Sequence, residues 1–191
     1  MPARNQLAVA SQSDPLWLPI FSWPMRKPVL YAANTYGSVL KYNPAGTILV
    51  RANSATPRLV FHDADTAAVL TGYPSTTGGV SHIDFNADGS VLVFNDGVVV
   101  KAINMTTKAL IGAASITYSQ APNGLRVSPD GTKVAIARAS SANVDIYNTS
   151  TWALITTVAP SGGAFVQKCA WSPDGSRLAV SHNGSPGLVV F

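Results

Sequence analysis

One twelve-residue pattern recurs along the chain at a nearly constant spacing, and this constrains the fold more than any other feature of the sequence. Its fullest form is Cys169-Ala170-Trp171-Ser172-Pro173-Asp174-Gly175-Ser176-Arg177-Leu178-Ala179-Val180. It returns as Leu125-Arg126-Val127-Ser128-Pro129-Asp130-Gly131-Thr132-Lys133-Val134-Ala135-Ile136. Looser copies are Ile83-Asp84-Phe85-Asn86-Ala87-Asp88-Gly89-Ser90-Val91-Leu92-Val93 and Leu40-Lys41-Tyr42-Asn43-Pro44-Ala45-Gly46-Thr47-Ile48-Leu49-Val50. The shared turn glycines stand at 46, 89, 131 and 175, so the steps are 43, 42 and 44 residues.

Each full repeat holds four short apolar runs. The first (a) covers Val39–Tyr42, His82–Phe85 and Gly124–Val127, and the second (b) Ile48–Ala52, Val91–Asn95 and Val134–Arg138. The third (c) covers Arg58–His62, Val98–Ile103 and Asn143–Tyr147, and a shorter fourth (d) follows. A period in the low forties with four strands per copy predicts an all-β chain of four-stranded antiparallel blades, a β-propeller. Strand b reads as near-continuous apolar residues with small ones interleaved, which suits a sheet covered on both faces. Asn95-Asp96-Gly97 predicts a hairpin turn between b and c, because Asp-Gly tolerates the positive φ such turns need. Strand c ends in a repeated turn of its own: Asp63-Ala64-Asp65-Thr66, Asn104-Met105-Thr106-Thr107 and Asn148-Thr149-Ser150-Thr151. There Asp or Asn can bond the backbone just ahead of it.

The two ends hold partial copies. Pro2 to Ser11 aligns with Pro173 to His182, Leu16–Ile20 falls at strand c, and Val29–Ala33 can serve as strand d. The first blade, 1–37, therefore lacks strand a. Complete blades are expected at 38–80, 81–123 and 124–166, and a partial blade without strand d at 167–191, all in one propeller domain. Eighteen strands make neither four nor five whole blades, so the ring is expected to be incomplete within this chain. Further residues beyond Phe191, or another chain, would complete it and cover the open strand edge.

Composition narrows the class. Of 191 residues 47% are apolar and 12% charged, which suits a β-rich protein with many tight turns rather than a disordered one. The formal charge of +4 comes from scattered cations, with Arg26-Lys27 the one adjacent pair. Nucleic-acid binding rewards a clustered stripe of cations, so that partner is not expected. A single cysteine, Cys169, excludes an internal disulfide and any multi-cysteine metal site. Its place in a strand beside Trp171 marks it as a small buried apolar residue. Neither a signal-peptide core nor a membrane span is legible, which points to a cytoplasmic protein or one incorporated in a particle.

The Ser-Pro-Asp-Gly-(Ser/Thr) turns with their flanking strands, and Tyr147-Asn148 where a Trp-Asp pair would stand, resemble the WD40-like β-propeller repeats. The resemblance covers essentially the whole chain, although the Gly-His and Trp-Asp dipeptides are absent. It implies a non-catalytic platform for protein partners or a structural module. A component of a large assembly, such as a bacteriophage virion or its tail fibre, is one setting compatible with it. The alternative is a propeller that binds a small ligand or carbohydrate, or an enzyme with an unrecognised site.

No catalytic constellation is legible. His62, His82 and His182 fall at non-equivalent repeat positions without metal-ligand spacing, so no metal or cofactor is expected. Asp88, Asp130 and Asp174 each precede a turn glycine, and turn chemistry accounts for them. A binding face follows from topology instead. The b–c and d–a connections share a rim, and the d–a loops Thr71–Gly79, Gly112–Asn123 and Ala159–Phe165 are the longer and more varied ones. They carry Tyr73, Tyr118, Gln120 and Phe165 as candidate binding residues, since aromatic side chains on loops make good anchors. The competing reading is that the aromatics cap the blade cores. Asp14 to Pro28, with Trp17, Phe21 and Trp23, is a second aromatic segment. Part of it belongs to strand c of the first blade, and Phe21–Lys27 stands as an insertion.

Overall fold

The computed structural model describes residues 6–8, 17–22, 28–33, 37–53, 58–139, 141–160 and 165–191, with side-chain detail from residue 39 onward. Among them are eighteen strands and no helix. The chain divides into two compact units, Met1–Ser81 and His82–Phe191. In the first, β1 (Gln6–Ala8), β2 (Trp17–Ser22) and β3 (Pro28–Ala33) form one sheet. The second sheet of that unit contains β4 (Gly37–Tyr42), β5 (Ile48–Asn53), β6 (Leu59–Asp63) and β7 (Val69–Leu70).

The second unit holds three sheets. The first contains β8 (Ile83–Phe85), β9 (Val91–Asp96), β10 (Val99–Asn104) and β11 (Ala109–Thr117). Next come β12 (Gly124–Val127), β13 (Lys133–Ala137), β14 (Val144–Asn148) and β15 (Leu154–Val158). The last contains β16 (Val166–Trp171), β17 (Leu178–His182) and β18 (Leu188–Val190). Every sheet is an antiparallel meander of sequence neighbours, one per repeat, with three strands in the first and last copies. These four- and three-stranded antiparallel sheets are propeller blades. Residues 23–27 of the aromatic insertion lie outside the described residues.

The turns explain the repeat residue by residue. In the a–b turns Gly46, Gly89, Gly131 and Gly175 have φ of 67, 74, 72 and 69°, the left-handed region that glycine enters without a Cβ penalty. Ser128 Oγ accepts Lys133 N–H at 2.9 Å, and Asp130 accepts Ser128 O–H at 2.5 Å and Thr132 N–H at 3.1 Å. Ser172, Asp174, Ser176 and Arg177 repeat the arrangement. These hydrogen bonds to the ionised form, that from the Ser hydroxyl first, hold Asp130 and Asp174 at a pKa of about 2.

In the c–d turns Asp63, Asn104 and Asn148 each accept two N–H groups, from the residues two and three places on, at 2.8–3.1 Å. The next residue, Ala67, Lys108 or Trp152, then takes φ of 58, 56 or 59°. A left-handed position filled three times without glycine was not legible in the sequence. The b–c hairpin pairs Asp96 with Val99, so its central residues are Gly97 and Val98. Only Gly97 has positive φ (63°), as a II′ turn requires.

One expectation is corrected. The d–a connection of the third repeat does not begin at Gly112, because β11 continues to Thr117 and leaves 118–123 as the loop. Gly112 sits where the pairing jumps from Ile103↔Leu110 to Lys101↔Ser115, so it marks a bulge rather than an end.

The core lies between blades, as the composition of strand b implied. From β13, Val134 and Ile136 face Val93, Val100, Ala102 and Ala114 of the preceding blade. Ala135 and Ala137 of the same strand face Val166, Cys169, Leu178 and Val180 of the following one. Large residues fill one interface, and alanines let the next sheet approach on the other. Polar links join the sheets as well: Asp84 Oδ2 accepts Val127 N–H at 2.9 Å, and Asn123 Nδ2 donates to Val166 O at 2.8 Å, each across 43 residues.

Candidate functional site

The rim that carries the d–a and b–c connections holds a cleft in the second unit. From the d–a side come Ile116 and Thr117 at the end of β11, with Tyr118, Ser119 and Gln120 beyond it. The b–c side supplies Arg138, Ala139 and Ser141, and β14 supplies Tyr147; the cleft has a volume of about 290 Å³. The sharing of one rim by these two connections was the topological expectation, and here it brings them into one site.

A charged network forms its base. Asp145, on β14, is fully buried and is the acceptor for four donors. Its Oδ2 receives Arg138 Nε at 2.7 Å, Arg138 Nη2 at 2.7 Å and the Tyr118 hydroxyl at 3.1 Å. Its Oδ1 receives the Thr157 hydroxyl at 2.8 Å. The Arg138 guanidinium also lies over the Tyr118 ring, 5.7 Å from its centroid. Burial, the hydrogen bond with Tyr147 and the Asp145 charge together drive the Tyr118 pKa far above the usual phenol range. Hydrogen bonding to Asp145 likewise raises that of Arg138. Tyr118 therefore stays protonated and Asp145 is fully engaged, so the base of the cleft is a rigid, internally neutralised platform. Beyond this network the cleft is lined by Gln120 and Ser141, with the exposed part of Arg138.

Two of the four residues singled out from sequence, Tyr118 and Gln120, come together here. Tyr118 is both a lining residue and a cap, which joins the two competing readings. Phe165 is 50% exposed and precedes β16, where its carbonyl accepts Asn183 N–H at 3.2 Å; it does not line this cleft. Tyr73 belongs to the first unit and stacks on the buried Phe61 with ring centroids 3.7 Å apart and planes 10° apart. Its ring is a core cap. Arg138, Ser141 and Tyr147 were missed by sequence reasoning, although the shared rim was the signal that would have found them.

Two further candidates for chemistry, His62 and Cys169, are accounted for by structure, whereas the buried His182 has no hydrogen-bond partner at Nε2 among the described residues. His62 is buried, accepts Arg51 Nε–H at 2.9 Å and is bonded through Nδ1 to Ala67 O at 2.9 Å; burial lowers its pKa. Burial also pushes the Cys169 thiol up to about 11, which makes it a poor nucleophile. Among the described residues no group of three His, Cys, Asp or Glu side chains is placed to hold a metal ion. Nor is any helix there long and apolar enough to cross a membrane.

Comparison with known proteins places this architecture. The chain is 31% identical over 166 residues to the WD repeat-containing protein VIP3 of Arabidopsis thaliana, covering 80% of this chain and 46% of that protein. It superposes on the crystal structure of the Cps50 (Swd1) β-propeller domain of Myceliophteria thermophila with a TM-score of 0.78, at 14% identity. That match covers 97% of this chain and 65% of the other. The chain belongs to the WD40-like β-propeller repeat family. No protein-family profile matches it. It spans about half the length of the curated WD-repeat relative. In this chain the polar network at the blade rim is built from Arg138, Asp145, Thr157 and Tyr118, and the sequence holds no Gly-His or Trp-Asp dipeptide.

Proposed function

We propose that this WD40-like chain is a non-catalytic protein-interaction module that docks a partner at the rim cleft of Tyr118, Gln120, Arg138, Ser141 and Tyr147. The observation that carries the reading is the contrast within the cleft. A buried, fully hydrogen-bonded Asp145 fixes Tyr118 and Arg138 in place, while Gln120 and Ser141 stand above them with donors and acceptors to offer. Preorganised polar groups around an aromatic anchor suit a protein partner, because little side-chain entropy remains to be lost on docking. Phe165, half exposed on a neighbouring d–a connection, is proposed as an outlying contact. Incorporation into a large particle such as a virion or tail fibre is the finer form of this reading, and absence of the chain from purified particles would end it.

A small polar ligand is the second reading. It is favoured by the volume of about 290 Å³, at the lower edge of small-molecule sites. A photo-crosslinking amino acid at Gln120, compared with one at Lys108 in the opposite-rim c–d turn, separates the two. Cross-links to a protein from position 120 alone, weakened about tenfold by Ser141→Ala, are expected. Equal labelling from both positions would remove the docking proposal. A small molecule that raises the melting temperature of the parent but not of Ser141→Ala would replace it with the ligand reading.

A further inference from the structure

The first strands of the three repeats in the second unit, β8, β12 and β16, lie side by side along one edge of their sheets. Position for position, His82, Gly124 and Lys168 are equivalent, each opening the run that continues Ile83-Asp84-Phe85, Leu125-Arg126-Val127 or Cys169-Ala170-Trp171. This equivalence has a geometric consequence. Lys168 reaches across the middle repeat, and its Nζ lies 3.0 Å from His82 Nε2, two repeats away in the sequence. It also donates to Asn123 O at 2.6 Å. Gly124 leaves the path open: a Cβ there would meet Lys168 Cα at 3.4 Å, with Cys169 N and Ala137 Cβ at 3.5 Å.

An ammonium can only donate, so His82 Nε2 is the acceptor and the imidazole is neutral with its proton on Nδ1. Lys168 is thus held at two points while remaining exposed, unlike a surface lysine free among its rotamers. One of its three N–H donors is not used by these bonds. Arg126 is exposed on the adjacent strand, where its Nη1 donates to Leu125 O at 2.7 Å. Its charge and that of Lys168 both bear on His82, after burial, in holding that ring at a pKa of about 4. The carboxylate on this edge, Asp84, is buried and turned to the backbone, accepting Val127 N–H at 2.9 Å and Phe85 N–H at 3.2 Å. The salt bridges found among the described residues, Lys101–Asp96 and Arg138–Asp145, involve neither cation.

We propose that Lys168 and Arg126 form a carboxylate-binding site that seats an acidic side chain of a partner protein on this edge, with Asn123, His82 and Gly124 as positioning residues. The Lys168 ammonium supplies a fixed point charge, and the Arg126 guanidinium supplies the planar fork that takes a carboxylate in two hydrogen bonds. An acidic protein segment fits better than a nucleic acid. Two cations beside a buried carboxylate can pair with one or two carboxylates, whereas a phosphate backbone calls for an extended cationic track.

The test uses the purified protein and a fluorescein-labelled oligoglutamate peptide, read by anisotropy at low and at near-physiological salt. Oligoglutamate is expected to bind and oligoglutamine not to bind. Arg126→Gln and Lys168→Gln should each weaken binding about tenfold, and Lys108→Gln, a lysine in a distant turn, should leave it unchanged. His82→Phe should weaken it about threefold by releasing the ammonium, and His82→Gln, which keeps an acceptor, should restore most of that loss. Melting curves identify any variant that unfolds; if one of the two cation variants does, the other decides. Equal loss in Lys108→Gln, undiminished binding in the cation variants, or equal affinity for oligoglutamine would overturn the proposal. So would tighter binding of a labelled oligothymidylate, or displacement of the peptide by inorganic phosphate at the same concentration. The rim residues Gln120 and Ser141 are untouched in every variant, so this site stands or falls independently of the docking cleft.

Discussion

The rim cleft and the inner-strand edge of the second unit each set a cation against a neutral ring, and the two cations are in opposite situations. Arg138 lies over Tyr118 and gives two donors to Asp145, a carboxylate with no solvent exposure. Lys168 lies against His82, is held only by neutral acceptors, and keeps its charge facing solvent. The first arrangement spends its charge on the fold; the second holds a charge in position without cancelling it. A cation in a propeller blade is therefore not informative by type. Its partner decides whether it is structural or available.

Three measurements can break or sharpen that contrast. The largest effect is expected at Asp145. Replacing it by Ala leaves the Arg138 guanidinium, the Tyr118 hydroxyl and the Thr157 hydroxyl without their acceptor. Arg138 is part-exposed and can turn to solvent, so the cost comes mainly from the donors left unsatisfied, about 1–3 kcal/mol for each buried one. Equilibrium denaturation measures this, and a loss under about 1 kcal/mol would mean the network is ornamental.

The second concerns pH. His82 titrates at about 4 in the folded chain, below its ordinary value, because burial and then the Lys168 and Arg126 charges disfavour its protonated form. The unfolded chain therefore binds this proton first. Stability is fully present above about pH 6.5, and about 2–3 kcal/mol of it is lost as the pH falls from there to about 4. His62 is shifted in the same direction by burial and adds to the slope. Asp130 and Asp174, at about 2, contribute stability that is fully present above the ordinary carboxylate range and is lost only as the pH falls from there towards about 2. Denaturation midpoints at pH 7 and pH 4.5 should differ, and His82→Gln should flatten the difference. An unaltered slope in that variant would show that the His82–Lys168 contact does not govern it.

The smallest effect is expected at Lys168. Lys168→Met keeps the stem of the side chain and removes the charge, and the change in unfolding free energy should stay within about 0.5–1 kcal/mol. A cost approaching that of Asp145→Ala would erase the contrast and make Lys168 a structural residue.

Local chemistry was legible wherever it repeats. The turn glycines, the Asp and Ser bonds within the a–b turns and the Asn or Asp bonds after strand c all lie within five residues of sequence, so one copy interprets the others. The antiparallel order of strands within each sheet followed for the same reason. Gly112 misled because a glycine in a strand and a glycine ending one look alike until the partner strand is known. Of the cleft, Tyr118 and Gln120 were legible as loop residues with binding chemistry. Arg138, Ser141 and Tyr147 were not, because they reach the cleft from a different blade.

The sequence by itself determined the repeat, the strand order within each blade and the turn geometry, because each rests on contacts between near neighbours in the chain. The tertiary structure alone decided which polar groups meet across blades. Tyr118 finds Asp145 27 residues away, and Lys168 finds His82 86 residues away. No local pattern encodes those distances. They arise because stacked blades bring equivalent positions of different repeats together, and the residue between them, such as Gly124, sets whether the side chains can touch.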